Sequence, residues 1–383
     1  MKTTNTNNKK VNLTSSNLSE EKLAELRRIL PEAFSENKID WEKLRTVLGD
    51  EVDSHIEKFG FTWAGKGNAI KNVLIPSKAT LTPAKDESIK FDDSENVFVE
   101  GDNLEALKLL QKAYFEKVKM IYIDPPYNTG GDFVYKDNFA SPVKNYLEQT
   151  GQKDSEGNNL QTNKETNGRY HSDWLSMMYP RLKLSWNLLR NDGVIFVSID
   201  DNEVHNLRQV MNEIYGEENV VACVVWKRKR GRDNSARWFS KSHEYLLVYA
   251  KDVSNFETNF LELDEETKEA YKNPDNDERG VYRMLGIWAR GTQGGVKYDF
   301  TNKNGQYFAE RLWLVSKANL QKLDEEDKLL VRGDNIYRKL FITENQGKIP
   351  ETIWDNTSNA ANAADEIKAI FGGIIFDTPE PLR

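Results

Sequence analysis

Apolar positions divide this chain into stretches of helical period and stretches of nearly continuous hydrophobicity. In "SEEKLAELRRIL" the leucines recur three and four apart, the spacing of one helix face, and Ser19 stands where an N-cap belongs. "DWEKLRTVLGDEVDSHIEKFG" predicts a second helix that stops near Gly60. Residues 61–95 hold few periodic elements and read as an arm lying on something else. Residues 1–17, rich in Asn, Thr, Ser and Lys, read as disordered.

The pattern then becomes α/β. Val97–Glu100 reads as a strand, Gly101-Asp102-Asn103 as a turn, and "LEALKLLQKAY" as an amphipathic helix with Leu104, Leu107 and Leu110 on one stripe. Met120–Ile123 is a short buried strand, which must stop because Pro125 and Pro126 cannot donate to a sheet ladder. Strand, helix, strand in this order is a βαβ unit and predicts a parallel sheet. Further on, "SDWLSMMYPRLKLSWNLL" reads as helix and "DGVIFVSIDD" as a buried strand. "NEVHNLRQVMNEIYG" reads as helix, and "NVVACVVWKRK" and "HEYLLVYA" as strands. Residues 150–169 form a long polar loop. Residues 252–370 turn acidic and Asn-rich, with Trp288, Trp313 and Trp354 scattered through them, and read as a separate domain or a large insertion. The domain plan is a helical N-terminal region and arm over 1–90, an α/β core over 91–251, the insertion over 252–370, and a last segment over 371–383.

Composition narrows the classes. The 383 residues are 38% hydrophobic and 30% charged, enough for a sizeable core in two or three domains. No run of 18 apolar residues occurs, so no membrane helix is expected, and the polar opening "MKTTNTNNKK" gives no secretory signal. The single cysteine, Cys223, lies in an apolar strand and reads as core. It forms no disulfide framework, which points to a reducing, cytoplasmic setting. Four histidines without paired Cys or His spacing give no zinc site, so no metal is expected. A net charge of −8 argues against nucleic acid on average, yet residues 226–241, "WKRKRGRDNSARWFSK", carry seven Lys or Arg against one Asp. That run reads either as a solvated face or, because two tryptophans and a phenylalanine lie in it, as a loop lining a nucleic-acid groove.

The sharpest chemistry is at the strand end, "DPPYNTGG". A bare D-P-P could be no more than a strand terminator. An acid and a carbonyl at the carboxyl end of a strand also suit one task. The exocyclic amine of a base is a weak nucleophile, and two acceptors for its N–H hydrogens favour charge developing on nitrogen as it attacks a methyl group. Asp124 and the Pro125 carbonyl would be those acceptors, with Pro126 fixing the turn. Tyr127 would stack on a base taken out of the duplex, roughly 1–3 kcal/mol offsetting the cost of flipping. Asp200 and Asp201 either line the pocket or start a helix. His171 either touches DNA or is a surface histidine.

"DPPYNTGGDFVYKDNF" resembles the catalytic loop of DNA amino-methyltransferases, in particular the β-type modification subunits of type III restriction-modification systems. "FTWAGKGNAIKN", "VEGDNLEALKLLQKAYFEKVKMIYIDPPYNTG", "GRYHSDWLSMMYPRLKLSWNLLRNDGVIFVSIDDNE" and "SKSHEYLLVYAK" occur in the order of that family. The resemblance implies a Rossmann-like S-adenosylmethionine-dependent methyltransferase sheet and cofactor contacts from Gly101, Asp102, Asn103 and Trp174. It adds Phe376, Asp377 and Pro379 of "FDTPEP", where Glu380 replaces the family's usual Lys. Asp rather than Ser at 124 tilts the target toward adenine N6 over cytosine N4. Residues 252–370 occupy the family's target-recognition position. DNA contacts are expected from Asn128, Lys227, Arg228, Lys229, Arg230, Arg232 and Arg237. Implied partners are duplex DNA, a second copy of the chain and a helicase-nuclease restriction subunit.

One departure stands out. The family's glycine loop, F-x-G-S-G-T, does not occur before Arg383, and "FGG" at 371–373 reads as a turn. The sheet is therefore expected to be incomplete, with open apolar edges beside Val97–Glu100 and Met120–Ile123. A fragment, an interrupted gene and a split enzyme completed by a second chain all fit. So does a catalytically silent remnant that binds DNA or a subunit.

Overall fold

The computed structural model describes residues 17–35, 38–48, 60–129, 170–289, 294–355 and 357–373, together with 375, 379 and 381. They form two compact units, one reaching Glu257 and resuming at Glu351, the other spanning Thr258–Pro350. Residues 351–370, given to the insertion on sequence grounds, thus return to the first unit. The long polar loop over 150–169 lies outside the described residues.

Helix α1 (Leu18–Ile29) is capped by Asn17, whose side chain accepts from the N–H groups of Ser19 and Glu20, so the helix begins before Ser19. A two-residue ladder, β1 (Phe34–Ser35) with β2 (Lys38–Ile39), leads to α2 (Trp41–Leu48). Within residues 61–95, read as an arm with few periodic elements, stands helix α3 (Lys66–Leu74). Its Ala69 and Val73 are buried in the main core. Nine residues opened by Gly65 at φ 103, with no side-chain cap, leave little trace in a sequence.

Next come α4 (Asn103–Tyr114), β3 (Val118–Ile123), α5 (Tyr170–Leu188) and β4 (Leu189–Ile199). They are followed by α6 (Val204–Tyr215), β5 (Val220–Lys227) and β6 (His243–Ala250). The second unit holds α7 (Glu265–Glu269), β7 (Tyr282–Gly286), the hairpin of β8 (Val296–Thr301) with β9 (Tyr307–Trp313), α8 (Lys317–Glu325), β10 (Leu329–Arg332) and β11 (Asn335–Phe341). Strands β10, β11 and β7 make an antiparallel sheet. The unit closes on itself where Leu261 and Lys348 exchange backbone hydrogen bonds of 2.8 and 2.9 Å. The chain then returns as β12 (Ile353–Trp354) and α9 (Ala360–Phe371).

The main sheet runs β12-β5-β6-β4-β3. It is mixed, not parallel: β3 pairs parallel with β4 and β12 parallel with β5, while β6 runs antiparallel to both β4 and β5. The basic segment after Lys227 links β5 directly to β6 as a hairpin, which forces that antiparallel step. Helix α5 fills one face; twelve of its nineteen residues are buried, so it is apolar nearly all round rather than along one stripe. Trp174, Met177, Met178 and Leu182 pack on Ile195, Val197 and Ile199 of β4, each contributing roughly 1.5–3 kcal/mol by burial. Val194, Val224, Leu246 and Val248 form the core on the opposite face. Gly193 permits the close approach of β3 to β4, since a Cβ there would lie 2.8 Å from the Arg190 carbonyl oxygen and 3.1 Å from that of Val118.

The expected strand at Val97–Glu100 is not formed. Val97 and Phe98 are 74% and 90% exposed, and β3, at the end of the sheet, exposes Met120 and Tyr122. A strand needs a neighbour to take its N–H and C=O groups, and among the described residues none lies beyond β3.

Candidate active site

The site is assembled where β3, β4 and β6 end. Strand β3 delivers Asp124 at its carboxyl end, exposed, with Oδ1 accepting from Ser198 Oγ of β4 at 2.7 Å. The prolines end the ladder, and the turn they begin is held at three points. Trp174 Nε1 donates to the Pro126 carbonyl at 2.7 Å. Tyr127 Oη reaches Glu244 Oε2 of β6 at 3.4 Å. Asn128, at φ 60 and fully buried, donates from Nδ2 to Glu203 Oε1 at 2.5 Å, and its carbonyl accepts from the Tyr170 hydroxyl.

Glu203 anchors this corner. Its side chain is fully enclosed and is shared by Asn128, by His171 Nδ1 at 2.7 Å and by Asn206 Nδ2 at 2.7 Å. Asparagine tolerates the left-handed backbone that the turn needs, and a buried carboxylate is stable only when its oxygens are occupied.

Two of the expected contact residues are built into the core of the site. Trp174 is enclosed and its indole positions Pro126. Asn128 is buried, and its amide fixes the turn on Glu203. His171 lies half exposed on Glu203. Asp200 accepts from the Asn202 N–H at 2.8 Å, a local turn contact at the start of α6, and both Asp200 and Asp201 line the cleft. Asp201 accepts from Tyr245 Oη at 3.0 Å and faces Lys241 at 3.5 Å. Burial, and then this carboxylate, push the Tyr245 phenol above its ordinary range. Cys223 is half-buried against the core, and burial pushes its thiol up.

The turn before α4 carries the other group of predicted residues. Asp102 caps α4 through the Glu105 N–H at 3.0 Å, and Asn103 Oδ1 accepts from Arg181 Nε at 2.8 Å. Gly101, at φ 146, has open space where a Cβ would project. Phe376 and Asp377 lie outside the described residues, and Pro379 is half-buried.

The basic segment stands beside the same cleft. Lys227, Lys229, Arg230, Arg232 and Arg237 are exposed, with Trp238 and Phe239 at 80% and 91%. The Arg237 guanidinium lies 4.8 Å from the Trp238 ring centroid. Arg228 is half-buried and donates to Glu244 Oε1 at 2.8 Å. The root of the segment is pinned to α9, where Ala360 N–H donates to the Arg228 carbonyl and Arg230 reaches Asn362 Oδ1 at 3.2 Å. Ser198, Glu203 and Glu244 escaped the sequence reading. A polar residue inside a run such as "VIFVSI" or "HEYLLVYA" was the signal available.

The family model described as DNA methylase matches residues 118–381. The chain is 35% identical over 94% of its length to the type III restriction-modification enzyme StyLTI Mod subunit of Salmonella typhimurium, of which it spans 58%. It is 32% identical, again over 94%, to the EcoPI Mod subunit of Escherichia phage P1, spanning 62% of that protein. Identity to the type II methyltransferase M.KpnI of Klebsiella pneumoniae is 28% over 76% of the chain and 69% of the relative. The chain thus spans about three-fifths of the length of the first two relatives.

Proposed function

The chain belongs to the N6/N4 DNA methylase family, and from that premise we propose that it methylates adenine N6 in duplex DNA as the modification arm of a restriction-modification system. The methyl donor is S-adenosylmethionine, which when bound supplies an electrophilic methyl on a sulfonium. The donor set suits such a cation with hydroxyls: carboxylates at Asp102 and Asp124, and at Gly101 the open space a ligand can enter.

The observation that carries the reading is the held Asp-Pro-Pro-Tyr turn. With Asp124 Oδ1 engaged by Ser198 and its side chain still exposed, the second oxygen can accept an N–H of the target amine. The Pro125 carbonyl accepts the other, and Tyr127 stacks on the base. The basic segment takes phosphates, and its exposed Trp238 and Phe239 support contact with a displaced base or strand. The second unit, Thr258–Pro350, reads the target sequence. A second copy and a restriction subunit are the proposed protein partners, by likeness to the Mod subunits.

The test is incubation of the purified chain with labelled S-adenosylmethionine and unmethylated plasmid DNA, followed by nucleoside mass spectrometry. N6-methyladenine, abolished by Asp124→Ala, is expected; N4-methylcytosine would reverse the choice of base. A second reading, a chain that binds DNA without transferring methyl, draws on the absence of strand structure over Val97–Glu100. Duplex binding without S-adenosylmethionine binding would select it.

A further inference from the structure

Strand β6 alternates as a buried strand should, with Leu246 and Val248 in the core of one face. The next position of that row is not apolar: it is Glu244, 6% exposed and paired across the sheet with Trp226. A carboxylate so placed is costly unless cations or donors meet both oxygens. Oε1 takes Arg228 Nη1 at 2.8 Å, a charge-assisted bond of ordinary length. Oε2 faces the Tyr127 hydroxyl at 3.4 Å, long for an O–H···O bond. One buried acid therefore touches the first arginine of the basic segment and the aromatic ring of the catalytic turn, holding the first firmly and the second loosely.

We propose that Glu244 is a positioning residue that couples phosphate binding at Arg228 to the setting of Tyr127. The proposal rests on the reading above, in which the basic segment meets DNA and Tyr127 meets the base. A DNA phosphate competes with Glu244 for the Arg228 guanidinium. As Arg228 turns outward, Glu244 is left buried without its cation, and the Tyr127 hydroxyl, already within reach, becomes the donor that compensates it. The bond tightens and fixes the plane of the ring. The Tyr127–Glu244 bond is thereby longer without DNA and shorter with it, so stacking is prepared by backbone contact before any particular base arrives.

The experiment labels the full chain with 3-fluorotyrosine, identifies the Tyr127 resonance by its loss in Tyr127→Phe, and adds a duplex of mixed sequence. The resonance should shift and sharpen in the wild type and stay still in Glu244→Gln, whose duplex affinity should remain within about threefold. Melting temperatures within a few degrees of wild type establish that the variant is folded. In single turnover, Glu244→Gln should slow methyl transfer roughly tenfold, the scale of one lost hydrogen bond, and Tyr127→Phe/Glu244→Gln should be no slower than the slower single variant. A Tyr127 signal that moves equally in Glu244→Gln, or one that the duplex never moves in the wild type, overturns the coupling. A moving signal with no methyl transfer would instead sink the enzymatic reading and leave the coupling standing.

Discussion

Trp174 and Pro126 are joined by an indole N–H···O=C bond of 2.7 Å between the central helix of the core and the Asp-Pro-Pro-Tyr turn. The donor cannot move, because its ring is enclosed by the packing of α5 on β4. Position in the turn is thus set by a deeply buried helix, which suits the proposed placing of two acceptors.

Trp174→Phe keeps most of the ring and removes the donor, leaving the Pro126 carbonyl unsatisfied. The expected loss in methyl transfer is about 1–2 kcal/mol, or roughly 5- to 30-fold, with affinity for duplex DNA unchanged. Single-turnover rates beside anisotropy titrations would check it. An unchanged rate would mean that the prolines and the contacts of Tyr127 and Asn128 set the turn without this bond.

Glu203→Ala should destabilise the corner more than it alters binding. It removes the shortest hydrogen bond of the Asn128 amide in a closed site and one partner of Asn206, which predicts a loss of about 1–3 kcal/mol in urea unfolding. Glu203→Gln, which keeps an acceptor for Asn128, should lose less. Equal losses would show that charge rather than hydrogen bonding holds the turn.

Arg232 and Trp238 separate charge from stacking on the basic segment. Arg232→Ala should weaken duplex binding evenly across sequences and lower the slope of log K against log salt by about 1. Trp238→Ala should leave that slope alone while weakening single-stranded or flipped substrates, by roughly 1–3 kcal/mol. Titrations across salt concentrations would show whether the two effects part in this way.

Acid should loosen the second unit. The Arg279 guanidinium at 2.7–2.8 Å, and then the Lys339 ammonium at 2.8 Å, hold the Asp277 carboxyl well below the usual carboxylate range. Lys348 does the same to Asp264. A depressed folded pKa contributes stability that is fully present above the unfolded value, near 3.9, and is lost as pH falls through the folded one. Melting of the wild type should therefore fall below about pH 4, while Asp277→Asn starts lower at neutral pH and declines less. Parallel curves for the two proteins would remove this cluster from the account.

The parts legible in the sequence are those written locally. Proline punctuation located the end of β3 at Asp124, and apolar runs located β4, β5 and β6. Relations between distant positions were not legible. Tyr127 and Glu244 are 117 residues apart, and Trp174 lies 48 from Pro126, so no local pattern announces either pair. Strand propensity at Val97–Glu100 was real but found no neighbour, since a strand is a property of a pair. The short helix α3 failed in the opposite sense, its order coming from packing on α5 rather than from its own signals.

The bonded pair Leu261 and Lys348 has a consequence for how such a protein can change. Gly347, at φ 119, makes that closure possible, because a Cβ would lie 2.3 Å from the Leu261 carbonyl oxygen. A segment whose two ends are buckled together exerts no pull on the strands that lead into and out of it. Residues 258–350 are therefore expected to accept replacement as a cassette at the bench, with the sheet and its Asp-Pro-Pro-Tyr turn kept in register.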